Sequence, residues 1–235
     1  MSFLTAEWRK LAFANYAIDP AVLQPYVPYG TELDFWEDTC YVSFIGFLFD
    51  KVRIRGIKVP FHHSFEEVNL RFHVRHKYEG EWRRGVVFIK EIVPLPAVSL
   101  IANTLYGEQY ETCKMRYDWS TRNDELRVSY ELRKGGRWHK LALTSAASTR
   151  AMSVGSKEEF ITEHFWGYTG SATRGKEYGV THPRWQVYPV LSHEIDVDFR
   201  MLYGDRFGFL NSRSPESVML AEGSAITIEG QRKLS

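Results

Sequence analysis

Only two cysteines, Cys40 and Cys113, occur in 235 residues. Two cannot make a disulfide framework, and they lack the Cys-x-x-Cys spacing of a thiolate metal site. Histidine offers no substitute. There is no His-x-His and no His-Glu-x-x-His, and His73 and His76 differ in parity, so they cannot share a strand face. No metal and no cofactor is expected. No long apolar run exists either. The longest, "YVSFIGFLF" (Tyr41–Phe49), is far too short to span a bilayer as a helix, and "MSFLTAEWRKLAF" lacks the charged start and apolar stretch of a signal peptide. An excess of charge of one sign is missing too. Thirty Lys+Arg stand against 29 Asp+Glu, which argues against nucleic acid as the main partner. Neither a P-loop nor a dinucleotide Gly-x-Gly-x-x-Gly appears. The expectation is a cytoplasmic protein with no nucleic-acid or membrane partner.

Aromatic residues, by contrast, are abundant at 15%. They favour strands and fill barrels and pockets. A chain of this length buries roughly 70–75% of its unfolded surface and needs no covalent staples. No repeat, linker or low-complexity segment divides it, so residues 1–235 are expected to form one domain.

Periodicity predicts strands over "WRKLAFANYAI", "TELDFWED" and "TCYVSFIGFLFDKVRIRG", the last two joined at Glu37-Asp38. In "FEEVNLRFHVRHKY", Phe65, Glu67, Asn69, Arg71 and His73 share one face, and Glu66, Val68, Leu70, Phe72 and Val74 the other. A Glu79-Gly80 turn leads into "EWRRGVVFIKEIV". Further strands are expected over "EQYETCKMRYDWS", over a hairpin turning at Gly135-Gly136, over "KEYGVTHPRWQVYPVL" and over "SVMLAEGSAITIEG". Helices are expected after Asp19-Pro20, over "PLPAVSLIANTLYG" ending at Gly107, over "SKEEFITEHFW" with a Ser156–Glu159 capping box, and briefly near "DFRML". Ten or more mostly antiparallel strands with a few short helices imply a mostly β (α+β) fold, a large antiparallel barrel or cone able to enclose a pocket.

Several of these pieces, "NYAIDPAVLQPYVPYGTELD", "FEEVNLRFHVR", "RGVVFIKEIVP", "LYGEQY" and "HPRW", together resemble the YqjF-like family of uncharacterised conserved proteins, a domain of unknown function. The resemblance runs over nearly the whole chain. That family is in turn distantly similar to acetoacetate decarboxylase, which implies an acetoacetate-decarboxylase-like barrel around an internal cavity. The decarboxylase works through a Schiff-base lysine whose pKa is lowered by a neighbouring lysine and an apolar pocket, a case that serves as the general example of such activation. Aligned without a gap from Glu108, the resemblance places Lys114 at that lysine, with Met115 in place of its lysine neighbour. In a second register Lys114 replaces a proline, Met115 stands at the nucleophile, and the Schiff-base function is gone. An arginine of the family near the N-terminus has no counterpart in "Tyr16-Ala17-Ile18-Asp19". A cavity glutamate matches Glu91.

Read from the residues alone, Lys114 shares a strand face with Arg116 and Asp118, the pattern of a solvated face. Glu91 is either a general acid/base or a carboxylate at a strand end. Glu67, Asn69 and Arg71 form a polar stripe that either lines a pocket, with Arg71 clamping a carboxylate, or faces water. Arg116, Tyr16 and His182 complete the ligand-binding candidates. The functional expectation is a cavity for a small carboxylate or keto acid with lyase-like chemistry, Lys114 and Glu91 being catalytic. The alternatives are a binder on a barrel that has lost its Schiff-base lysine, and a structural protein. The partners expected are a small-molecule ligand and further copies of the chain in a homo-oligomer.

Overall fold

The structure, a computed structural model, describes residues 2–58 and 60–234, with only the backbone described at Leu105 and Tyr106. In chain order its strands are β1 (Ser2–Ala17), β2 (Glu32–Leu33), β3 (Tyr41–Ile54), β4 (Ile57–Lys58), β5 (Phe65–Tyr78), β6 (Glu81–Val93), β7 (Tyr110–Thr112), β8 (Lys114–Arg122) and β9 (Glu125–Lys134). There follow β10 (Arg137–Ala146), β11 (Arg150–Ala151), β12 (Trp166–Ser171), β13 (Arg174–Thr181), β14 (Gln186–Tyr188), β15 (Val190–Asp196), β16 (Ser217–Glu229) and β17 (Arg232–Lys233). The α-helices are short: α1 (Pro20–Leu23), α2 (Pro96–Ile101), α3 (Lys157–Thr162) and α4 (Phe199–Tyr203).

The large sheet runs β16-β1-β3-β5-β6-β12-β13, and β13 returns to β16 through Val180–Ile228 and Thr181–Thr227. This pairing closes the sheet into a ring. Around this ring every ladder is antiparallel except β6–β12, which is parallel over Trp166–Gly85 and Gly167–Val86. Glycine is needed at this seam. A Cβ on Gly85 would overlap the Trp166 carbonyl and the Tyr168 ring, and one on Gly167 would overlap the Tyr178 ring. A second sheet, β15-β10-β9-β8, packs on the outside of the ring.

Two layers of core follow. Inside the ring, Phe13, Ile45, Phe47, Phe49, Phe65 and Trp185 pack together. Outside it, Ala14, Val42, Phe44, Leu70 and Phe72 meet Val128, Tyr130, Leu132 and Leu141 of the second sheet. Strand β3 is therefore buried on both faces from Tyr41 to Phe49, which is why its sequence is a continuous apolar run rather than an alternation. Tyr130 ties the layers together. Its ring lies over Gly46, and its hydroxyl donates to the Lys10 carbonyl at 2.8 Å.

The local signals act as their chemistry dictates. Asp19 caps α1 by accepting from the Ala21 amide at 2.9 Å, with Pro20 at the first helical position. Ser156 accepts from the Glu159 amide. Gly107 ends the turn after α2 at φ 69°. Gly135 and Gly136 supply positive φ to the β9–β10 hairpin. Three expectations are corrected. "TELDFWED" contributes only Glu32–Leu33 to a strand ladder, beside an isolated Trp36–Thr39 bridge. The helix from Lys157 ends at Thr162, and Trp166 already begins β12. "EQYETCKMRYDWS" is two strands. β7 pairs with β6 in the ring, β8 pairs with β9 in the second sheet, and the chain changes sheets at Cys113.

Candidate active site

Strand β5 points Glu67, Asn69 and Arg71 into the ring by simple alternation, since Leu70 and Phe72 face the outer core. Beside it, Glu91 of β6 stands directly across the ladder from Asn69. After α2, the left-handed turn at Gly107 directs the chain back along β6, so that β7 pairs in parallel and sets Tyr110 beside Glu91. Glu108 enters two residues earlier. Tyr178 comes from β13 across the ring.

These side chains line two adjoining spaces that share part of their walls. The outer one, of about 200 Å³, has walls of Phe49, Val52, Ile54, Phe65, Val98 and Ile101, and its polar end is Glu67, Glu91, Glu108, Tyr110 and Tyr178. The inner one, of about 70 Å³, shares Glu67, Glu91, Tyr110 and Tyr178 and adds Asn69, Arg71, His164 and His182.

The polar groups are only partly paired. Asn69 Nδ2 donates to Glu67 Oε1 at 2.9 Å, and the Tyr110 hydroxyl donates to Glu67 Oε2 at 3.3 Å. Tyr178 and Thr169 hydrogen-bond the Glu108 carboxyl. Arg71 Nη2 donates to the Ile161 carbonyl at 3.1 Å, and its guanidinium lies 5.6 Å from the Phe13 ring centre. Asn69 Oδ1, Arg71 Nε, Glu91 Oε2 and Glu108 Oε1 are buried with no hydrogen-bond partner among the described residues. Such groups are costly to bury, and a ligand able to pair with them recovers that cost.

Burial dominates the electrostatics. It pushes Glu67 up to about 7, against hydrogen bonds from Asn69 and Tyr110 and the charge of Arg71. Burial, with repulsion from Glu67, lifts Glu108 to about 8. Burial and the carboxylates of Glu67 and Glu108 hold Glu91 well above the ordinary carboxyl range. At neutral pH the cluster thus holds both protonated and ionised carboxyl groups, the condition for moving a proton. Arg71 is pulled down by desolvation and remains cationic. Behind it, the His73 and His164 rings stack at 4.6 Å. Burial drives His164 down to about 4 and His73 well below its usual value, so both are neutral at pH 7. His182 stacks on Trp185 at 4.3 Å, and its Nδ1 is 3.0 Å from the Pro183 carbonyl oxygen.

Of the residues singled out from sequence, Glu67, Asn69, Arg71, Glu91 and His182 meet at these spaces. Three do not. Lys114 is exposed in β8, across the ladder from Arg133, because the chain has left the ring at Cys113. Arg116 is exposed on the same face, paired with Glu131 at 2.7 Å and lying over Trp138. Tyr16 is buried in the outer core, 5.6 Å from the Phe199 ring centre. Among the described residues no lysine lines either space. Glu108, Tyr110, Tyr178 and His164 were not anticipated. For the first two a signal existed, since Glu108 and Tyr110 share parity directly after the positive-φ Gly107. Nothing local marks Tyr178.

A family profile described as DUF2071, uncharacterized conserved protein, matches residues 5–225. An uncharacterized protein, YqjF, of Bacillus subtilis (strain 168) is 32% identical over 71 residues, which cover 30% of this chain and 29% of that relative. The chain thus matches less than a third of the length of its curated relative. The fold is that of the acetoacetate decarboxylase group. The acetoacetate decarboxylase of Legionella pneumophila superimposes with a TM-score of 0.66 at 15% identity, over 99% of this chain and 87% of that one. The enduracididine biosynthesis enzyme MppR, in complex with pyruvate, gives 0.68 at 13% identity, over 100% and 91%. An acetoacetate decarboxylase-like enzyme from Sphingomonas wittichii RW1 gives 0.67 at 14%, over 100% and 94%.

Proposed function

The chain belongs to the DUF2071 family of uncharacterized conserved proteins, and we propose that it binds a small keto acid in the ring cavity and moves a proton on it without a Schiff base. The observation that carries this reading is the placement of Glu67 and Glu91 on the wall shared by two adjoining spaces, with Glu108 on the outer and Arg71 on the inner, neither of them lined by a described lysine. Arg71 offers the ligand carboxylate a cation with an unpaired Nε–H. The ligand carbonyl then lies among the carboxyl groups and the hydroxyls of Tyr110 and Tyr178. An ionised carboxylate of the cluster takes a proton from the carbon next to the carbonyl. A protonated one gives its proton to the carbonyl oxygen, and the enol forms with no net change in the protons held. Binding of pyruvate by MppR, on the same fold, is compatible with this reading.

The test is exchange of the carbon-bound protons of pyruvate for deuterium, followed by proton NMR. Wild-type protein accelerates the exchange and Glu91→Gln does not. Stabilisation of the protein by pyruvate with no exchange would leave a binder and remove the proton-transfer step.

A further inference from the structure

The outer space is too large and too apolar to be only an entrance for a three-carbon acid. Phe49, Val52, Ile54 and Phe65 form one wall, and Val98 and Ile101 of α2 form the other. Beyond its polar end, His62 is the one lining residue whose side chain offers hydrogen-bonding groups among those described. With about 200 Å³ outside the carboxyl cluster and about 70 Å³ inside it, the two spaces differ in chemistry as well as size. The inner one suits an anionic head, and the outer one suits something that prefers to leave water.

We infer that the ligand is a keto acid carrying an apolar alkyl or aryl substituent, its head at Arg71 and the carboxyl cluster and its tail against Phe49, Val52, Phe65 and Val98. The inference rests on the keto-acid reading of the inner site and adds the substituent to it. The arrangement also keeps water from the cluster. A tail filling the outer space closes the route from solvent to Glu67, Glu91 and Glu108, and so maintains the desolvation that raises their proton affinity.

The experiment is isothermal titration of the wild-type chain with pyruvate, 2-oxobutanoate, 2-oxohexanoate, 2-oxooctanoate and phenylpyruvate, alongside hexanol and hexylamine as headless and cationic controls. Each methylene that leaves water is expected to tighten binding about three- to four-fold until the space is full. In Val98→Trp, which fills the outer space, the series flattens. Ile101→Asp, at a position that is partly exposed and thus tolerant, weakens the long acids relative to pyruvate. Pyruvate binding with no gain along the series overturns the tail and leaves the keto-acid reading standing. Hexanol or hexylamine binding as tightly as 2-oxohexanoate overturns the keto-acid head and with it this ligand class.

Discussion

Asn69 and Glu91 are direct partners across the β5–β6 ladder, and the next residues along it fall out of step. Leu70 faces Lys90, but Arg71 faces Phe88, so Ile89 is the extra residue of a bulge. On the Glu91 side of the bulge, odd-numbered positions of β6 point into the ring. On the other side, Phe88 and Val86 do. Ile89, which alternation from Glu91 would place in the cavity, lies in the outer core instead. The bulge thus sets a carboxyl beside the Asn69–Arg71 stripe while the neighbouring inward residues of β6, Phe88 and Val86, stay apolar.

The carboxyl cluster makes stability fall as pH rises. Glu67 and Glu108 bind a proton more tightly in the folded protein, at about 7 and about 8, than the ordinary 4.5. Their contribution is complete below pH 4.5 and is lost as pH climbs through those values. Glu108→Gln removes one proton site without changing shape. It is expected to be more stable than wild type at pH 8.5, by on the order of 3 kcal/mol, and no more stable at pH 4.5. Urea denaturation at the two pH values measures this. Equal stability at pH 8.5 would place Glu108 in water.

The buried histidines act with the opposite sign. His164 falls to about 4 in the folded state from an ordinary 6.5, chiefly through burial. Stability attached to it is present above pH 6.5 and lost as pH drops towards 4. His164→Gln, neutral throughout, should lose less stability than wild type between those values. A parallel loss in both proteins would mean that His164 is not the group being charged.

Lys114 is expected to be chemically ordinary. Its exposed position predicts that Lys114→Ala changes stability by no more than about 0.5 kcal/mol. Borohydride reduction in the presence of pyruvate should leave the peptide containing Lys114 unmodified. A stoichiometric adduct there, seen by mass spectrometry, would contradict the placement of β8.

Gly46 admits the ring of Tyr130. A Cβ at position 46 would lie 2.7 Å from Tyr130 Cδ2, and the ring is held by its hydroxyl bond to the Lys10 carbonyl and packed between the sheets. Gly46→Ala is therefore expected to cost about 1–3 kcal/mol through overpacking. Gly46→Ala combined with Tyr130→Leu should recover part of that loss in thermal unfolding. Additive losses would show that the two positions are not in contact.

What the sequence determined by itself was whatever depends on neighbours along the chain. Alternation in β5 assigned Glu67, Asn69 and Arg71 to one face and Leu70 and Phe72 to the other, because the pleat has a period of two whatever surrounds it. Asp19-Pro20, Ser156, Gly107 and Gly135-Gly136 marked their caps and turns because those geometries are set within a few residues. Tertiary structure alone decided which polar face was wet. The stripe on β5 and the stripe Lys114–Arg116–Asp118 on β8 look alike in sequence, yet one faces the cavity and the other water, because the chain changes sheets at Cys113. It also decided that Tyr178, 70 positions after Glu108, would meet it across the ring, and that a bulge would turn Ile89 outwards. Closure of a sheet brings together residues whose separation along the chain carries no local trace, and the energies that raise the Glu67 and Glu108 pKa values arise only once that closure removes water.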